Sequence, residues 1–165
     1  MKALPRIHSI YIASRAGELM AQLTQAEIVA GQGIVGDRYA QGLGAFSKTK
    51  PKIRHISLIA LSGIENANDQ LRAKQQTLFG AGDTRRNLVI QGISEEELNG
   101  LVGRIFYLGG IAFKGTELCE PCQRPANLLK RPDFTNAFGN RGGLRAEALD
   151  SGTVRNGDSL TYPLD

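Results

Sequence analysis

The two cysteines of this 165-residue chain lie two residues apart in "TELCEPCQRPANLLK", as Cys119 and Cys122, with Arg124 close behind them. A C-x-x-C spacing suits dithiol exchange, a structural metal, or one activated thiolate beside a ligand. Zinc wants four ligands, and only His8 and His55 could add to the two sulfurs, neither in a paired spacing. Dithiol exchange is compatible with the Glu120-Pro121 insert, but its usual frame is βαβ and the surrounding sequence reads as strands. Both sulfurs could also be small buried hydrophobes, the commonest fate of a free cysteine. Arg124, and the free backbone N–H groups of a helix starting near Gln123, would favour thiolate over thiol at Cys122. Pro121 fixes the backbone just before it, which makes Cys122 the stronger candidate. A thiolate there is a nucleophile, a soft metal ligand and a sulfur acceptor.

Three polar clusters could serve a ligand next to such a sulfur. "DTRRNLVIQG" sets Arg85, Arg86 and Asn87 before an apolar run; neighbouring arginines on a strand point opposite ways, so one of the two faces any pocket. "GNRGGLRAE" puts Arg141 beside Gly142 and Gly143, a pair able to form an anion-receiving nest of backbone N–H groups. "GDRY" offers Asp37 and Arg38 in a tight turn. Taken singly, each arginine reads as solvated or ion-paired. Together with a thiolate they suggest a guest bearing phosphate or carboxylate. The glycines of "GQGIVGDRY" match neither G-x-G-x-x-G nor a Walker A loop, so no nucleotide loop is assigned.

The elements that must position these groups are mostly short strands, punctuated by 20 glycines that mark many turns. "RIHSIYIAS" reads as a first strand, a second falls around Ala26 to Ala30, and "IRHISLIA" as a buried one; "QGLGAFSKTKPK", with three lysines, reads as a loop. The spacing of Ile64, Ala67, Asn68, Leu71 and Lys74 predicts a helix over Leu61 to Gln76, with Ser62 as N-cap. Ser94 and Glu97 form a capping-box pattern before Gly100. Gly109-Gly110 reads as the turn of a hairpin, and Asn156-Gly157 as a tight turn between the last strands. Strands with only occasional helices predict a mainly β, barrel-like domain rather than a doubly wound α/β fold.

Length and an apolar share of 41% fit one domain with a single sizeable core. Net charge of +4 suits an anionic small ligand, whereas the absence of Trp and of any RNA- or DNA-binding signature argues against a nucleic-acid partner. No apolar run reaches a membrane span and the N-terminus lacks a signal-peptide core, so a cytoplasmic protein with no membrane partner is expected.

In order along the chain, "GIVGDRYA" (33–40), "TRRNLVIQG" (84–92), "LNGLVGRIFYLGGIAFKGTELCEPC" (98–122), "RGGLRAEALDSG" (141–152) and "VRNGDSL" (154–160) resemble the MOSC family. That domain is found at the C-terminus of molybdenum cofactor sulfurases and in small free-standing bacterial proteins. The resemblance implies one MOSC domain over residues 1–165, a β-barrel akin to the pyruvate kinase barrel domain, with a few appended helices. It implies a bound molybdenum–pterin cofactor (Moco) and a key cysteine that carries sulfur or ligates molybdenum. Cys122 matches that cysteine by position, with Cys119 as its accessory. Arg86, Asn87, Arg141, Gly142 and Gly143, together with Arg124, would then receive the pterin's terminal phosphate, oriented by Arg38. The activity implied is sulfur carriage on Cys122, or molybdenum-dependent reduction of N-hydroxylated compounds. Its partners would be Moco and a separate electron donor or sulfurase. The alternatives are a carrier module without turnover and, behind it, a C-x-x-C thiol oxidoreductase.

Overall fold

The computed structural model describes residues 3–44, 53–119, 137–139 and 141–163. Eleven strands occur among them: β1 (Arg6–Ile12), β2 (Ala21–Leu23), β3 (Gln25–Val29), β4 (Gly33–Ile34), β5 (Ile56–Ala60), β6 (Leu88–Gln91), β7 (Ile105–Leu108), β8 (Ile111–Leu118), β9 (Leu144–Ala148), β10 (Gly152–Arg155) and β11 (Leu160–Thr161). Two α-helices accompany them, α1 (Leu61–Ala73) and α2 (Glu95–Asn99), with a 3-10 turn at Ala81–Thr84. An eight-stranded sheet runs β11-β7-β8-β9-β5-β6-β1-β2, and a three-stranded sheet runs β10-β3-β4. All strand pairs are antiparallel except β5 with β6 in the larger sheet, which α1 connects.

The large sheet curls until its far edge returns to its seventh strand. Ile7 N–H donates to Asp158 O (2.9 Å), Leu160 N–H to Pro5 O (2.8 Å) and Gly157 N–H to Ile7 O (2.8 Å). Strand alternation explains the curl: every second residue faces inward and must be covered. Ile56, Leu58, Leu88, Ile90, Leu144 and Ala146 all point into one interior core. Phe106 and Phe113, cross-strand partners on β7 and β8, stack there with centroids 5.7 Å apart. The mainly β, barrel-like architecture read from the sequence is the one observed.

The alternate residues of β5 and β6, Ile59 and Val89, face outward and are covered by α1 through Ile64, Ala67 and Leu71. Phe79 and Phe138 close this second core edge to face at 5.4 Å. Full burial of Ile64 and Leu71 contributes about 1.5–3 kcal/mol each.

Local signals in the sequence met their structures unevenly. Ser94 caps α2 as read, its Oγ accepting from Glu97 N–H at 3.0 Å, and Gly100 is the C-cap. Ser62 is no cap. Ala60 holds that position, and Ser62 instead donates to Ile93 O (3.2 Å) and Glu95 Oε2 (3.0 Å), fastening α1 to α2. The helix also stops three residues before Gln76. Gln75 takes φ 56° and donates to Arg72 O, while Gln76 N–H returns to Leu71 O. This is a Schellman termination with glutamine where glycine usually sits, so the sequence carried no stop signal. The Asn156-Gly157 turn forms, yet its flanking strands do not pair: β10 joins β3 and β11 joins β7.

Gln75→Gly is expected to stabilise the protein by about 1 kcal/mol, since left-handed backbone costs a side-chain-bearing residue roughly that much. A rise in the urea midpoint checks this.

Candidate functional site

On the outward face of β5 and β6, one step from the helix-covered Ile59 and Val89, the side chains turn polar. Asn87, at the mouth of β6, is 4% exposed, and every polar atom of its carboxamide is engaged. Its Oδ1 accepts from Ser57 N–H (3.0 Å) and Ser57 Oγ (3.2 Å); its Nδ2 donates to Tyr11 O (3.0 Å) and Asp37 Oδ1 (3.4 Å). Asp37 has no exposed surface. Its Oδ1 also takes Ala13 N–H (3.2 Å) and Arg38 Nη1 (3.1 Å), and its Oδ2 takes Tyr39 N–H (3.4 Å). Arg38, only 7% exposed, reaches further to Met20 Sδ (3.6 Å) and Arg85 O (3.5 Å). A buried carboxylate survives because each of its oxygens finds a donor.

The two adjacent arginines diverge, though for a different reason than strand alternation. The strand begins only at Leu88, and Arg85 ends the 3-10 turn in left-handed backbone at φ 60°. That twist sends Arg85 Nη1 to Glu18 O (2.7 Å) and Arg86 Nε to Gly142 O (2.7 Å). Gly143 O in turn receives Cys119 N–H at 2.8 Å. At φ 86°, Gly143 passes so close to Leu58 that any Cβ would strike the Leu58 carbonyl. Thus the carbonyls of Gly142 and Gly143 are engaged here, and the glycine serves a close chain crossing.

Arg141 lies elsewhere. Its Nη1 donates to Ala137 O (3.3 Å), and it borders a cleft of about 490 Å³ with Ser94, Glu95, Glu96 and Asn99. Desolvation works to raise the Glu95 carboxyl, but backbone hydrogen bonding, Asn66, Ser62 and the Arg141 charge outweigh it and hold it below its ordinary range. Cys119 is 3% exposed. Cys122 and Arg124 lie outside the described residues.

Several groups at this mouth escaped the sequence reading. Arg54 sits over the Tyr39 ring at 5.8 Å, with Arg38 at 5.0 Å. Burial, then the nearby Arg145, push the Arg54 guanidinium down, while Tyr39, Glu117 and Cys119 act in the other direction. Arg145 and Glu117, cross-strand partners on β9 and β8, form an ion pair. His55 Nδ1 accepts from Ala148 N–H at 3.0 Å, which places its proton on Nε2. Burial pushes its pKa below the ordinary 6.5, against the pull of Glu147. Arg54 and His55 sit together before "ISLIA", and two adjacent polar side chains at a strand mouth were the available signal. Tyr39, Arg54 and His55 line a second cleft of about 310 Å³ with Gly31, Gln32 and Gly42. Among the described residues no group of three His, Cys, Asp or Glu side chains could hold a bare metal ion.

Asp37→Ala is expected to cost about 3–5 kcal/mol, because it strands the buried Arg38 charge; chemical denaturation measures it. His55 titrates lower in the fold than in the unfolded chain, so the unfolded chain takes up the proton first. Its stabilising contribution is complete above about pH 6.5 and is lost as pH falls through the folded value. A urea midpoint that drops less between pH 8 and pH 5 in His55→Asn than in wild type confirms the sign.

The chain also has relatives of known structure. The YuaD protein from Bacillus subtilis superposes with a TM-score of 0.77 at 17% identity, over 98% of both chains. YiiM from Geobacillus stearothermophilus gives 0.72 at 14% identity, covering 97% of this chain and 75% of its own. YiiM from Escherichia coli gives 0.67 at 18% identity, covering 97% and 70%. No curated protein matches the sequence. At these identities the likeness establishes the fold. The sequence itself matches the MOSC domain over residues 47–161, and the chain belongs to that family.

Proposed function

We propose that this protein is a single MOSC domain that binds Moco, with Cys122 as the sulfur that carries or ligates and Cys119 as its buried neighbour. One observation supports the reading above the rest: four motifs remote in sequence are linked by consecutive hydrogen bonds. Arg86 Nε holds Gly142 O, Gly143 O holds Cys119 N–H, Asn87 holds Asp37, and Arg38 holds Arg85 O. So "GDRY", "TRRN", Cys119 and the Gly142-Gly143 pair meet at one mouth of the sheet. Cys122 follows Cys119 by three positions, at most about 11 Å of chain.

The donor set fits such a guest. Thiolate is a soft ligand for molybdenum. Arg86 and Arg124 supply the cations, and Gly142 and Gly143 the backbone N–H groups, that a pterin phosphate requires, while Arg141 borders the other cleft. Asn87 and Arg38 act one layer below: with their donors already engaged, they fix the positions of the strand mouth and of Arg85. When bound, the cofactor would supply two-electron redox chemistry at molybdenum.

Two uses of the site follow. In sulfur transfer, the Cys122 thiolate takes a sulfane sulfur from a sulfurase persulfide, leaving the donor's thiolate and a Cys122 persulfide. In reduction, an N-hydroxy compound takes two electrons, delivered by a separate protein, and two protons, giving the amine and water. A carrier that holds Moco without turnover uses the same contacts. The dithiol alternative is weakened by the burial of Cys119, the sulfur that such a pair exposes for attack.

Gently prepared protein is expected to contain molybdenum and pterin in equal amounts. Cys122→Ala should lower the molybdenum at least tenfold, while Cys119→Ala keeps most of it. Full metal and full hydroxylamine reduction in Cys122→Ala would count against the reading. Retained cofactor with no turnover of any N-hydroxy compound would select the carrier.

A further inference from the structure

The chain holds two Asn-Gly pairs, Asn99-Gly100 at the end of α2 and Asn156-Gly157 in the turn between β10 and β11. Such a pair is open to a spontaneous reaction: with no Cβ on the second residue, its amide nitrogen can approach the asparagine side-chain carbonyl carbon. Both residues of the second pair are exposed. Asp158 N–H donates to Arg155 O (3.0 Å) and Gly157 takes φ 89°, the hydrogen bond and left-handed third residue of a type II turn. The reacting nitrogen is nevertheless engaged: Gly157 N–H donates to Ile7 O at 2.8 Å, at the far end of the chain. We infer that Asn156 is a deamidation site latched by the seam that returns the sheet's edge to β1, so that its covalent state records how often that seam opens. It goes beyond the Moco reading and requires neither metal nor pterin.

The reaction needs only water. Gly157 N loses its proton and bonds to Asn156 Cγ, and the side-chain amino group leaves as ammonia, giving a cyclic imide. Water then breaks one of the two imide C–N bonds. One opening restores an ordinary peptide at aspartate; the other leaves the chain running through Cγ as isoaspartate. No electrons are exchanged: asparagine and water become a carboxyl-bearing residue and ammonia. A nitrogen whose proton is held by the Ile7 carbonyl can neither lose it nor turn toward Cγ, so attack waits for local opening.

That opening involves the whole seam. The Gly157 carbonyl accepts from Arg6 Nη1 (2.9 Å), and Ile7 N–H to Asp158 O and Leu160 N–H to Pro5 O flank it. At the other pair, Gly100 N–H donates to Glu96 O (3.0 Å), a bond inside one short helix. Its release follows fraying of α2, which makes Asn99 an internal control. The product acts back on the latch. Isoaspartate lengthens the backbone by one carbon before Gly157 and adds negative charge near Asp158, whose Oδ2 accepts Arg155 N–H. Gly157 N–H then no longer meets Ile7 O in register, and the modified seam is weaker.

Intact protein held in mildly alkaline buffer, then digested and read by mass spectrometry, gives the deamidation rate at each pair. Asn156 is expected to react about tenfold or more slowly in the native protein than in the urea-unfolded chain. Arg6→Ala, which removes the bond to Gly157 O, should raise the Asn156 rate about threefold or more and leave Asn99 unchanged. Equal native and unfolded rates at Asn156, no acceleration in Arg6→Ala, or equal acceleration at both pairs would overturn the inference. Should Arg6→Ala fail to fold, wild type in urea below its unfolding transition takes its place. Asn156 deamidation that rises in step with exchange of the Gly157 amide hydrogen supports the latch; a rate that stays flat while that hydrogen exchanges faster overturns it.

Discussion

A fully buried carboxylate, Asp37, governs how this end of the sheet is put together. It ties the exit of β1 through Ala13, the mouth of β6 through Asn87, and its own turn through Arg38 and Tyr39. Burying a charge is costly unless every oxygen is met, so the three segments cannot shift independently. Arg38 extends the constraint to Met20 and the Arg85 carbonyl. What appear as separate loops around the candidate site therefore behave as one block, set by local electrostatics rather than by the sheet's ladder.

The polar mouth is also a product of where a helix ends. The outward face of β5 and β6 is apolar at Ile59 and Val89, where α1 covers it, and polar at Ser57 and Asn87, beyond the helix. One strand face thus changes character over a single residue pair. The exchange of bonds between Ser57 and Asn87 lets that change occur without leaving Asn87 unsatisfied. Binding chemistry and core packing share the same two strands, which gives the arginines around them rigid footing.

Much of the fold was legible because alternation and turn residues are local signals. β1, β5, the Gly109-Gly110 hairpin and the Ser94 cap needed only short windows of sequence. The Gln75 termination carried no glycine, and Ser62 had a more rewarding partner in Glu95 than its own helix backbone. At the site, the sequence marked Arg86, Gly142 and Cys119 but not that they meet, since Arg86 and Gly142 are joined across 56 residues. It also placed Arg141 with them, whereas Arg141 donates to Ala137 O and borders the other cleft. Arg54 went unmarked and His55 was weighed only as a zinc ligand, because their surroundings lie in Tyr39, Ala148 and Cys119, all distant along the chain.

The bonds that return the sheet's edge to β1 join residues 5–7 to residues 157–160. During synthesis the apolar first strand therefore emerges long before the segment that seals it. Until then Ile7 and Ile10 have only part of their native surroundings. The edge of the sheet cannot return to β1 until residues 157–160 have left the ribosome.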